Sequence, residues 1–555
     1  MNKKVCSFPI LFALLALLIG TCAVVFPASA QAAPTSTGSI TVSGTVARSY
    51  DAYQIFDANV IDDDNDAKIA TDLAWASGAA RDAVLPVLHS AGMSNSQTTA
   101  QEAAEWLNTD SHLTSALSAQ LARSLQSSGA EPVALNAGTA AELPCGYWLI
   151  VAKDDAISQN EAGTAPVMAL VGGSAVTVKP KAATPKVAKH VLEDSTAAWQ
   201  KAADATVADD LYWRLSATVP AGLAAYDTYA VRFVDTMSAG LDPSKVAASM
   251  RVYVAAGADG GFDAVSADKD GSAGTEPAKG WTDITAQCAT KVAADGTFTV
   301  RTGDLIAALG GADAFIAGAR VVAVYNAPLN SACNHGIAKG NPNEVYLRYP
   351  RSPFADQSGD AGFTRTPSDD ACAYTWDLAL TKRGSDGDKP LAGAVLSITD
   401  DRGRTLAADG TWDAEGKATV TTGEDGRVTV SGVDSGKLEV RELKAPKGYT
   451  AFEGTRSVTV KAEGLDVDQV AAAKPKLTIT AESPLRADSA DGSTGSLEAS
   501  LINTPTGTPP SITTGGFMPS TGDMAMYAAA AAAVAGAALI VVALLVKRGG
   551  GSHKE

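Results

Sequence analysis

Polar side chains with complementary chemistry follow apolar residues at two-residue spacing in the last predicted strands of the chain. Residues two apart in a strand lie on one face of the sheet. The pairs are Leu380 with Lys382, Val440 with Glu442, and Leu501 with Asn503. This spacing predicts that an amine, a carboxyl group and an amide face one apolar layer, where a polar group without a partner is costly.

The chemistry expected of these groups follows from their burial. Desolvation lowers the pKa of a buried lysine and raises the pKa of a buried carboxylic acid. A neutral Lys382 can then attack the side-chain amide of Asn503, while a protonated Glu442 donates to the amide oxygen and transfers protons as ammonia leaves. The product is an isopeptide bond, made once and without turnover. The alternative is a surface ion pair between Lys382 and Glu442, which leaves the shared spacing unexplained.

The middle of the chain carries a second set with the same spacing. Its segments are Val187, Lys189 and Val191; Val231, Phe233 and Asp235; and Asn343, Val345, Leu347 and Tyr349. The pattern again predicts an amine, a carboxyl group and an amide facing an apolar layer. Two alternatives stay open here: Asn341 shares the face of Asn343 and could replace it, and Asp235 could cap a turn.

In both sets the lysine lies near the first strand of its region and the asparagine lies on the last. The paired residues are 154 positions apart in the middle set and 121 apart in the C-terminal set. By the loop-closure argument used for disulfides, each bond would contribute about 5 kcal/mol. Each bond would also carry tension across its domain without unzipping the strands between.

Short strands of alternating polarity must position these groups. The first region adds a predicted helix over 99–125, in which Leu113, Leu117 and Leu121 form one apolar stripe suited to covering a sheet. The two later regions consist of strands and glycine-rich turns. The expected architecture is three β-sandwich-like domains on a stalk, mostly β, with an α+β N-terminal domain.

Breaks in composition divide the chain into segments. The predicted segments are a signal peptide 1–30, an N-terminal domain 31–181, a middle domain 182–367, a third domain 368–503, a Thr/Pro/Gly stalk 504–517, a short motif 518–522, an apolar span 525–546 and a basic tail 547–555. The signal peptide is predicted from two early lysines, an apolar run and the small-residue site Ala28-Ser29-Ala30. The chain is therefore expected to be exported.

The C-terminal segment has the layout of a sorting signal. The span 525–546 is long enough, at 1.5 Å per residue, to cross a bilayer, and the following Lys547 and Arg548 favour the cytoplasmic side. Directly before the span stands Met518-Pro519-Ser520-Thr521-Gly522. It resembles the Leu-Pro-x-Thr-Gly signal of Gram-positive surface proteins, which sortases cut after the threonine and join to an amine. The resemblance implies that Thr521 becomes the new C-terminus; a plain membrane tail is the alternative.

The third region resembles a CnaB-type immunoglobulin-like domain of Gram-positive pilins. The residues that carry the resemblance are the E-box-like segment 438–449, Leu-Glu-Val-Arg-Glu-Leu-Lys-Ala-Pro-Lys-Gly-Tyr, with the strand segment 376–382, Gly393-Ala394 and Leu501-Ile502-Asn503. It implies an internal bond between Lys382 and Asn503. The middle region, with Asp235-Thr236-Met237 and Gly240-Leu241, resembles the CnaA-like domain of the same pilins. That resemblance implies Lys189 as nucleophile, Asp235 as acid and Asn343 as acceptor.

The junction of the first two domains is where such pilins carry the lysine that accepts the next subunit. The sequence Val176-Thr177-Val178-Lys179-Pro180-Lys181 resembles their Val-x-Val-Tyr-Pro-Lys motif. The resemblance implies Lys181 as the acceptor. Lys179 replaces the tyrosine of the motif, and Gly172 stands where the longer motif has tryptophan. Lys179 and Lys186 are alternative acceptors, and a solvated linker lysine without a role is the other interpretation.

Composition and missing motifs exclude other classes of function. A net charge of -17 with 19% charged residues would repel a phosphate backbone, so nucleic acid binding is not expected. The sequence has no HExxH, Gly-x-Ser-x-Gly or phosphate loop, so we expect no enzyme acting on external substrates and no cofactor. The acidic run beginning at Asp62 has the spacing at which a calcium-binding loop starts. It lacks the glycine and the terminal glutamate that such a loop requires, so no metal is expected.

The exported chain would keep four cysteines. They are Cys145, Cys288, Cys333 and Cys372. An even number in an oxidising location allows one or two disulfides, and Cys333 with Cys372 is the candidate pair. Small buried thiols are the alternative.

Together these features predict the major shaft subunit of a sortase-assembled fimbrium. The expected partners are a sortase, identical subunits in a covalent homopolymer, peptidoglycan, and further minor pilins and host receptors. The expected location is the cell wall and the surface fimbrium. The alternative function is a monomeric wall-anchored adhesin or a minor pilin at the base or tip.

Overall fold

The computed structural model describes residues 36–507, except 45–47, 64–66, 110, 155–156, 158, 181–182, 223, 259–260 and 263–276. The predicted signal peptide, Lys181, the sorting motif 518–522, the apolar span 525–546 and the basic tail all lie outside the described residues. Within the part that is described, no helix is both long and apolar enough to cross a membrane.

The N-terminal unit contains eight described strands and three helices. The strands are β1 (Thr37–Val42), β2 (Ser49–Asp62), β3 (Lys68–Trp75), β4 (Val133–Asn136), β5 (Ala140–Pro144), β6 (Gly146–Ala152), β7 (Val167–Val171) and β8 (Val176–Val178). The helices are α1 (Gly78–Ser90), α2 (Ala100–Asn108) and α3 (Ser115–Ser127). The helix predicted over 99–125 is therefore two helices, because Thr114 accepts from the Leu117 backbone amide and starts a new one.

The strands of this unit form two sheets with the helices outside. The order is β3-β2-β6-β7 with β4 on β2 in one sheet, and β5-β1-β8 in the other. Tyr53 and Leu149 pack against the helices, while Tyr50 and Trp148 pack against the smaller sheet. Both faces of β6 are thus covered, which explains its nearly continuous apolar sequence.

The middle sandwich contains the next thirteen strands. They are β9 (Lys186–Glu193), β10 (Ala198–Gln200), β11 (Ala202–Asp204), β12 (Tyr212–Val219), β13 (Arg232–Met237), β14 (Arg251–Ala256), β15 (Thr282–Asp283), β16 (Ala289–Val292), β17 (Thr297–Arg301), β18 (Ala319–Asn326), β19 (Asn341–Pro350), β20 (Phe363–Arg365) and β21 (Asp369–Tyr374). Short helices α4 (Val246–Ser249), α5 (Leu305–Ala308) and α6 (Ala312–Phe315) lie between them.

Two facing sheets enclose the core of the middle sandwich. Their orders are β10-β9-β12-β18-β14-β15 and β11-β21-β19-β13-β17-β16, with β20 on β19. Trp213, Phe233, Phe298 and Tyr325 are among the fully buried side chains between the sheets. Strand β21 pairs with β19, so it belongs to the middle sandwich and not to the third domain predicted to begin at residue 368.

The C-terminal sandwich contains twelve strands. They are β22 (Trp376–Gly384), β23 (Val395–Thr399), β24 (Thr405–Leu406), β25 (Trp412–Asp413), β26 (Val420–Thr421), β27 (Arg427–Val433), β28 (Gly436–Lys444), β29 (Tyr449–Thr450), β30 (Thr455–Glu463), β31 (Lys476–Ala481), β32 (Leu485–Asp491) and β33 (Ser496–Pro505). The sheet orders are β27-β22-β33-β29, with β32 on β33, and β25-β24-β23-β28-β30-β31, with β26 on β23. The predicted fold class, mostly β with tandem sandwiches, is confirmed.

Candidate functional site

The middle sandwich brings Lys189, Asp235 and Asn343 into its core. Lys189 lies on β9 in one sheet, while Asp235 on β13 and Asn343 on β19 lie in the facing sheet. Pairing of Asp235 with Val345 places Asn343 two residues along the neighbouring strand, on the same face. All three side chains are fully buried. The predicted spacing therefore does direct them into one apolar layer.

A fourth residue, Tyr325 on β18, connects these three. Lys189 Nζ donates to Asp235 Oδ2 and, at 2.9 Å, to Tyr325 Oη. The tyrosine hydroxyl donates to Asp235 Oδ2 at 3.2 Å and accepts from Asn343 Nδ2 at 2.8 Å. We call Lys189, Asp235, Asn343 and Tyr325 the middle cluster. Sequence reasoning missed Tyr325, although its two-residue spacing from Ala323 on β18 gives the inward face of that strand.

Burial changes the protonation of the middle cluster. Desolvation lowers the pKa of Lys189 to about 8, although the nearby Asp235 opposes this change. Desolvation also raises the pKa of Asp235 to about 6, against the effect of Lys189. Two buried oxygens, Asp235 Oδ1 and Asn343 Oδ1, have no hydrogen-bond partner among the described residues. A proton on Asp235 would turn one of these acceptors into a donor.

The C-terminal sandwich brings together Lys382, Glu442 and Asn503, which we call the C-terminal cluster. Lys382 on β22 and Asn503 on β33 lie on adjacent parallel strands, in which Lys382 pairs with Leu501. Glu442 lies on β28 in the facing sheet. All three side chains are buried. The predicted set is therefore assembled here as well.

In the C-terminal cluster the carboxyl group of Glu442 contacts the side-chain amide of Asn503 directly. Asn503 Nδ2 donates to Glu442 Oε1 at 2.8 Å and to Oε2 at 3.0 Å. Lys382 Nζ lies 3.5 Å from Glu442 Oε1 and donates to the Leu501 carbonyl at 3.2 Å. The backbone amide of Phe452 donates to Glu442 Oε2 at 3.1 Å. Desolvation lowers the pKa of Lys382 to about 8, which favours the neutral amine needed for attack.

Residues 377–474 match the family model of the SpaA prealbumin-like fold domain. The matched range covers most of the C-terminal sandwich, so this sandwich is similar to that domain. The predicted resemblance to domains of Gram-positive pilins is thereby confirmed. Lys382 and Glu442 lie within the matched range, whereas Asn503 follows it.

One curated relative and two solved structures resemble longer parts of the chain. The trypsin-resistant surface T6 protein of Streptococcus pyogenes serotype M6 is 30% identical over 143 residues, covering 24% of this chain and 24% of that protein. The chain thus matches about a quarter of that relative's length.

Both solved structures are described as pilins. The T6 backbone pilin of serotype M6 Streptococcus pyogenes has a TM-score of 0.44 and 16% identity, covering 85% of this chain and 98% of that one. The major pilin SpaD from Corynebacterium diphtheriae has a TM-score of 0.40 and 15% identity, covering 85% and 98%. At this level of similarity, the case for a function depends on the residues of this chain.

The amide of Asn503 in the C-terminal sandwich is oriented differently from the sequence prediction. The sequence predicts that Glu442 donates to the amide oxygen, but the amide nitrogen faces Glu442, and Asn503 Oδ1 has no hydrogen-bond partner among the described residues. The two orientations differ by a half-turn of a nearly symmetric group. A carboxylate that only accepts hydrogen bonds favours the nitrogen; a protonated carboxyl group would favour the oxygen.

The alternative acceptor Asn341 has a different role. Its Oδ1 accepts from the Asn334 backbone amide at 2.8 Å, and its Nδ2 donates to the Asn334 carbonyl at 2.9 Å and to Ala373 at 3.2 Å. The side chain thus holds the loop before β19 against β21. Asn343, and not Asn341, contacts the Tyr325 hydroxyl.

The predicted pairing of Cys333 with Cys372 does not occur in the structure. All four cysteines among the described residues are free. Cys333 Sγ lies 3.5 Å from His335 Nε2, while the buried Cys372 directs its thiol towards the Ala373 carbonyl at 3.7 Å. The two thiols thus point at different partners. Within the described ranges, no group of acidic, histidine and cysteine side chains could hold a metal ion.

The acceptor lysine predicted from the junction motif, Lys181, lies outside the described residues. Its two alternatives are described and exposed: Lys179 follows β8, and Lys186 begins β9. The junction between the N-terminal unit and the middle sandwich therefore presents lysines to solvent.

Proposed function

We propose that this chain is the shaft subunit of a covalent surface pilus, exported and polymerised by a sortase between Thr521 and Lys181. The observation that carries the proposal is the pair of buried lysine, carboxyl and asparagine clusters, one in each of the two sandwiches that precede the sorting motif. A protein exposed to tension gains from cross-links at these positions, because each would close most of its domain.

The chemistry proposed for both clusters is the same. A neutral lysine amine attacks the asparagine Cγ, the new C–N bond forms, and the bond from Cγ to Nδ2 breaks as ammonia leaves. The carboxyl group accepts the proton lost by the lysine and supplies one to the leaving nitrogen. The fully buried lysines, each with a lowered pKa, support this reaction. The chain modifies itself and is not an enzyme for other substrates.

The proposed load path runs through the middle and C-terminal sandwiches. If Lys181 receives Thr521 of the next subunit, tension enters the middle sandwich near β9 and leaves the C-terminal sandwich after β33. The joint between these sandwiches supports such a path: Arg404 forms a bidentate ion pair with Asp209, at 2.5 and 2.8 Å. Across the same joint, Asp204 accepts from the Trp376 indole at 2.7 Å. The N-terminal unit would lie beside this path.

The remaining parts of the proposal follow from the two ends of the chain. The sorting motif and the basic tail would hold the exported chain for a sortase, which would join it to identical subunits and finally to peptidoglycan. Minor pilins and host receptors would be further partners in adhesion. The proposed location is the cell wall and the fimbrium that extends from it.

Polymerisation is tested by the change Lys181→Ala in the full chain, expressed with its sortase. We expect the ladder of high-mass polymers on a denaturing gel to disappear. The matched variants Lys179→Ala and Lys186→Ala should keep it. A ladder that survives Lys181→Ala and disappears in one of the matched variants would move the acceptor to that lysine. A wild-type chain that gives a single wall-linked band would favour the monomeric adhesin instead.

A further inference from the structure

The two clusters connect their carboxyl group to the asparagine in different ways. Glu442 contacts Asn503 Nδ2 directly through both oxygens, at 2.8 and 3.0 Å. Asp235 makes no hydrogen bond to Asn343: its Oδ2 contacts Lys189 and Tyr325, and its Oδ1 has no partner among the described residues. In the middle cluster, the hydroxyl of Tyr325 occupies the position between the acid and the amide.

The acids of the two clusters differ in side-chain length and in position: Asp235 lies in the sheet of its asparagine, whereas Glu442 lies in the sheet that faces Asn503. Both carboxyl groups are proposed to transfer a proton to an asparagine amide in a closely packed core, but aspartate is one methylene shorter than glutamate. The Tyr325 hydroxyl spans the gap with two hydrogen bonds, 3.2 Å to Asp235 Oδ2 and 2.8 Å to Asn343 Nδ2. It also accepts from Lys189 Nζ at 2.9 Å. The hydroxyl therefore touches the nucleophile, the acid and the nitrogen that leaves.

We propose that the Tyr325 hydroxyl is a catalytic proton relay between Asp235 and the leaving amide nitrogen of Asn343. The proposal rests on the isopeptide reaction proposed above and assigns it a fourth participant in the middle cluster. In the C-terminal cluster, the longer Glu442 performs the whole transfer alone.

The relay conserves every atom and proton. The relay starts from a neutral Lys189 and a protonated Asp235, and Nζ gives a proton to the Asp235 carboxyl group as its bond to Asn343 Cγ forms. Asp235 donates its original proton to Tyr325 Oη, and the tyrosine donates its own proton to Asn343 Nδ2, so both hydrogen bonds of the hydroxyl are reversed relative to the unreacted cluster. Attack at Cγ makes Nδ2 an acceptor, and this nitrogen leaves as ammonia when its bond to Cγ breaks. Asp235 and Tyr325 end as they began, and no oxidant or further reactant is required.

The surroundings of Tyr325 hold the hydroxyl in place. The residue is fully buried on β18, a central strand between β12 and β14. Its ring packs edge-on against Phe298, with ring centroids 4.8 Å apart. Burial also raises the pKa of Tyr325 well above its ordinary value, so the group stays a neutral hydroxyl that can both donate and accept. A phenylalanine would fill the same space but could not transfer a proton.

The test compares the full chain with its Tyr325→Phe variant during a time course of synthesis, quenched in acid and digested. Mass spectrometry then measures the cross-linked peptide that joins Lys189 to Asn343. We expect its formation to slow by about 100-fold or more, the usual contribution of a positioned acid or base. The bond between Lys382 and Asn503 in the same molecule should form at the wild-type rate and serves as the internal control for folding of the chain.

A second variant separates a relay from a structural role. Asp235→Glu combined with Tyr325→Phe supplies the longer acid that works alone in the C-terminal cluster, so it should restore the middle bond. A structural role for the hydroxyl predicts no such rescue. The proposal is overturned if Tyr325→Phe forms the middle bond at the wild-type rate, or if the longer acid fails to restore it. Failure of the underlying reaction is a different result: the wild-type chain would then contain no middle bond at all.

Discussion

The middle and C-terminal clusters are proposed to form the same kind of bond, but different residues contact the asparagine amide in each. Each places a lysine with a pKa lowered to about 8 beside a carboxyl group and an asparagine in a sandwich core. Glutamate reaches the amide directly in one cluster, whereas aspartate is joined to it by Tyr325 in the other. In the cluster whose acid does not contact the amide, a fourth residue makes the connection.

The largest effect is expected on the stability of each sandwich when its cluster lysine is replaced. Comparing the two variants tests whether both clusters form a stabilising bond. Lys189→Ala and Lys382→Ala should each destabilise their own sandwich by about 5 kcal/mol, because closure of a long loop is lost. Calorimetry should show the corresponding transition shifted down by roughly 10–20 °C. Exposed lysines of the same two sandwiches, changed in Lys291→Ala and Lys437→Ala, provide matched controls that should leave both transitions in place. Unshifted transitions in the cluster variants would mean that neither cluster carries a bond.

The next effect concerns acid length in the C-terminal cluster. Glu442→Asp shortens the acid where no described hydroxyl contacts both it and Asn503, so formation of the bond from Lys382 to Asn503 should slow by about 100-fold or more. Peptide mass spectrometry of a synthesis time course would measure this rate. The middle bond of the same molecule is the control and should be unaffected. Equal rates for aspartate and glutamate at position 442 would remove the physical reason given for Tyr325.

A smaller effect is expected from pH on the rate at which the bond between Lys189 and Asn343 forms. The reactive state has one proton shared between Lys189, with a pKa lowered to about 8, and Asp235, with a pKa raised to about 6. Below pH 6 both groups are protonated and the amine cannot attack; above pH 8 Asp235 has lost the proton that it passes to Tyr325 at the start of the relay. The rate should therefore be greatest between these values and fall about tenfold per unit outside them.

Cell-free synthesis at a series of pH values, quenched at short times, would measure this profile. The Tyr325→Phe variant combined with Asp235→Glu is the useful reference, because its acid has a different length and environment. A rate that keeps rising above pH 8 would show that no proton donor is needed.

The smallest effect on bond formation is expected from Asn341→Ala. Its amide is used by Asn334 and Ala373, so the cross-linked peptide from Lys189 and Asn343 should form in full. Stability should still fall by about 1–3 kcal/mol, since buried partners lose their hydrogen bonds. Loss of the middle bond in this variant, with the sandwich folded, would restore Asn341 as the acceptor.

Much of both clusters could be predicted from strand spacing alone. The two-residue period places Lys189, Asp235 and Asn343 on inward faces, as it does Lys382, Glu442 and Asn503. Tyr325 could not be assigned in this way. It lies 136 positions from Lys189, and only the pairing of β18 with β12 brings its hydroxyl to the cluster. From the sequence alone, an inward-facing tyrosine in an apolar strand looks like any other residue of the hydrophobic core.

Boundaries were harder to predict than clusters. The break between α2 and α3 depends on a cap at Thr114 in a stretch that keeps its apolar spacing. The assignment of β21 depends on its pairing with β19, which no local pattern gives. The free state of the cysteines likewise depends on tertiary placement, since Cys333 lies in the loop before β19 and Cys372 lies on β21, and each thiol points at a different partner.

Intact mass of the mature chain, with sequencing of its cross-linked peptides, tests the central claim most directly. Each isopeptide bond releases one ammonia and lowers the mass by about 17 Da, so two bonds lower it by about 34 Da. We predict the full deficit, with one branched peptide joining Lys189 to Asn343 and another joining Lys382 to Asn503. A mature chain whose mass equals that of its unmodified sequence would contradict the account.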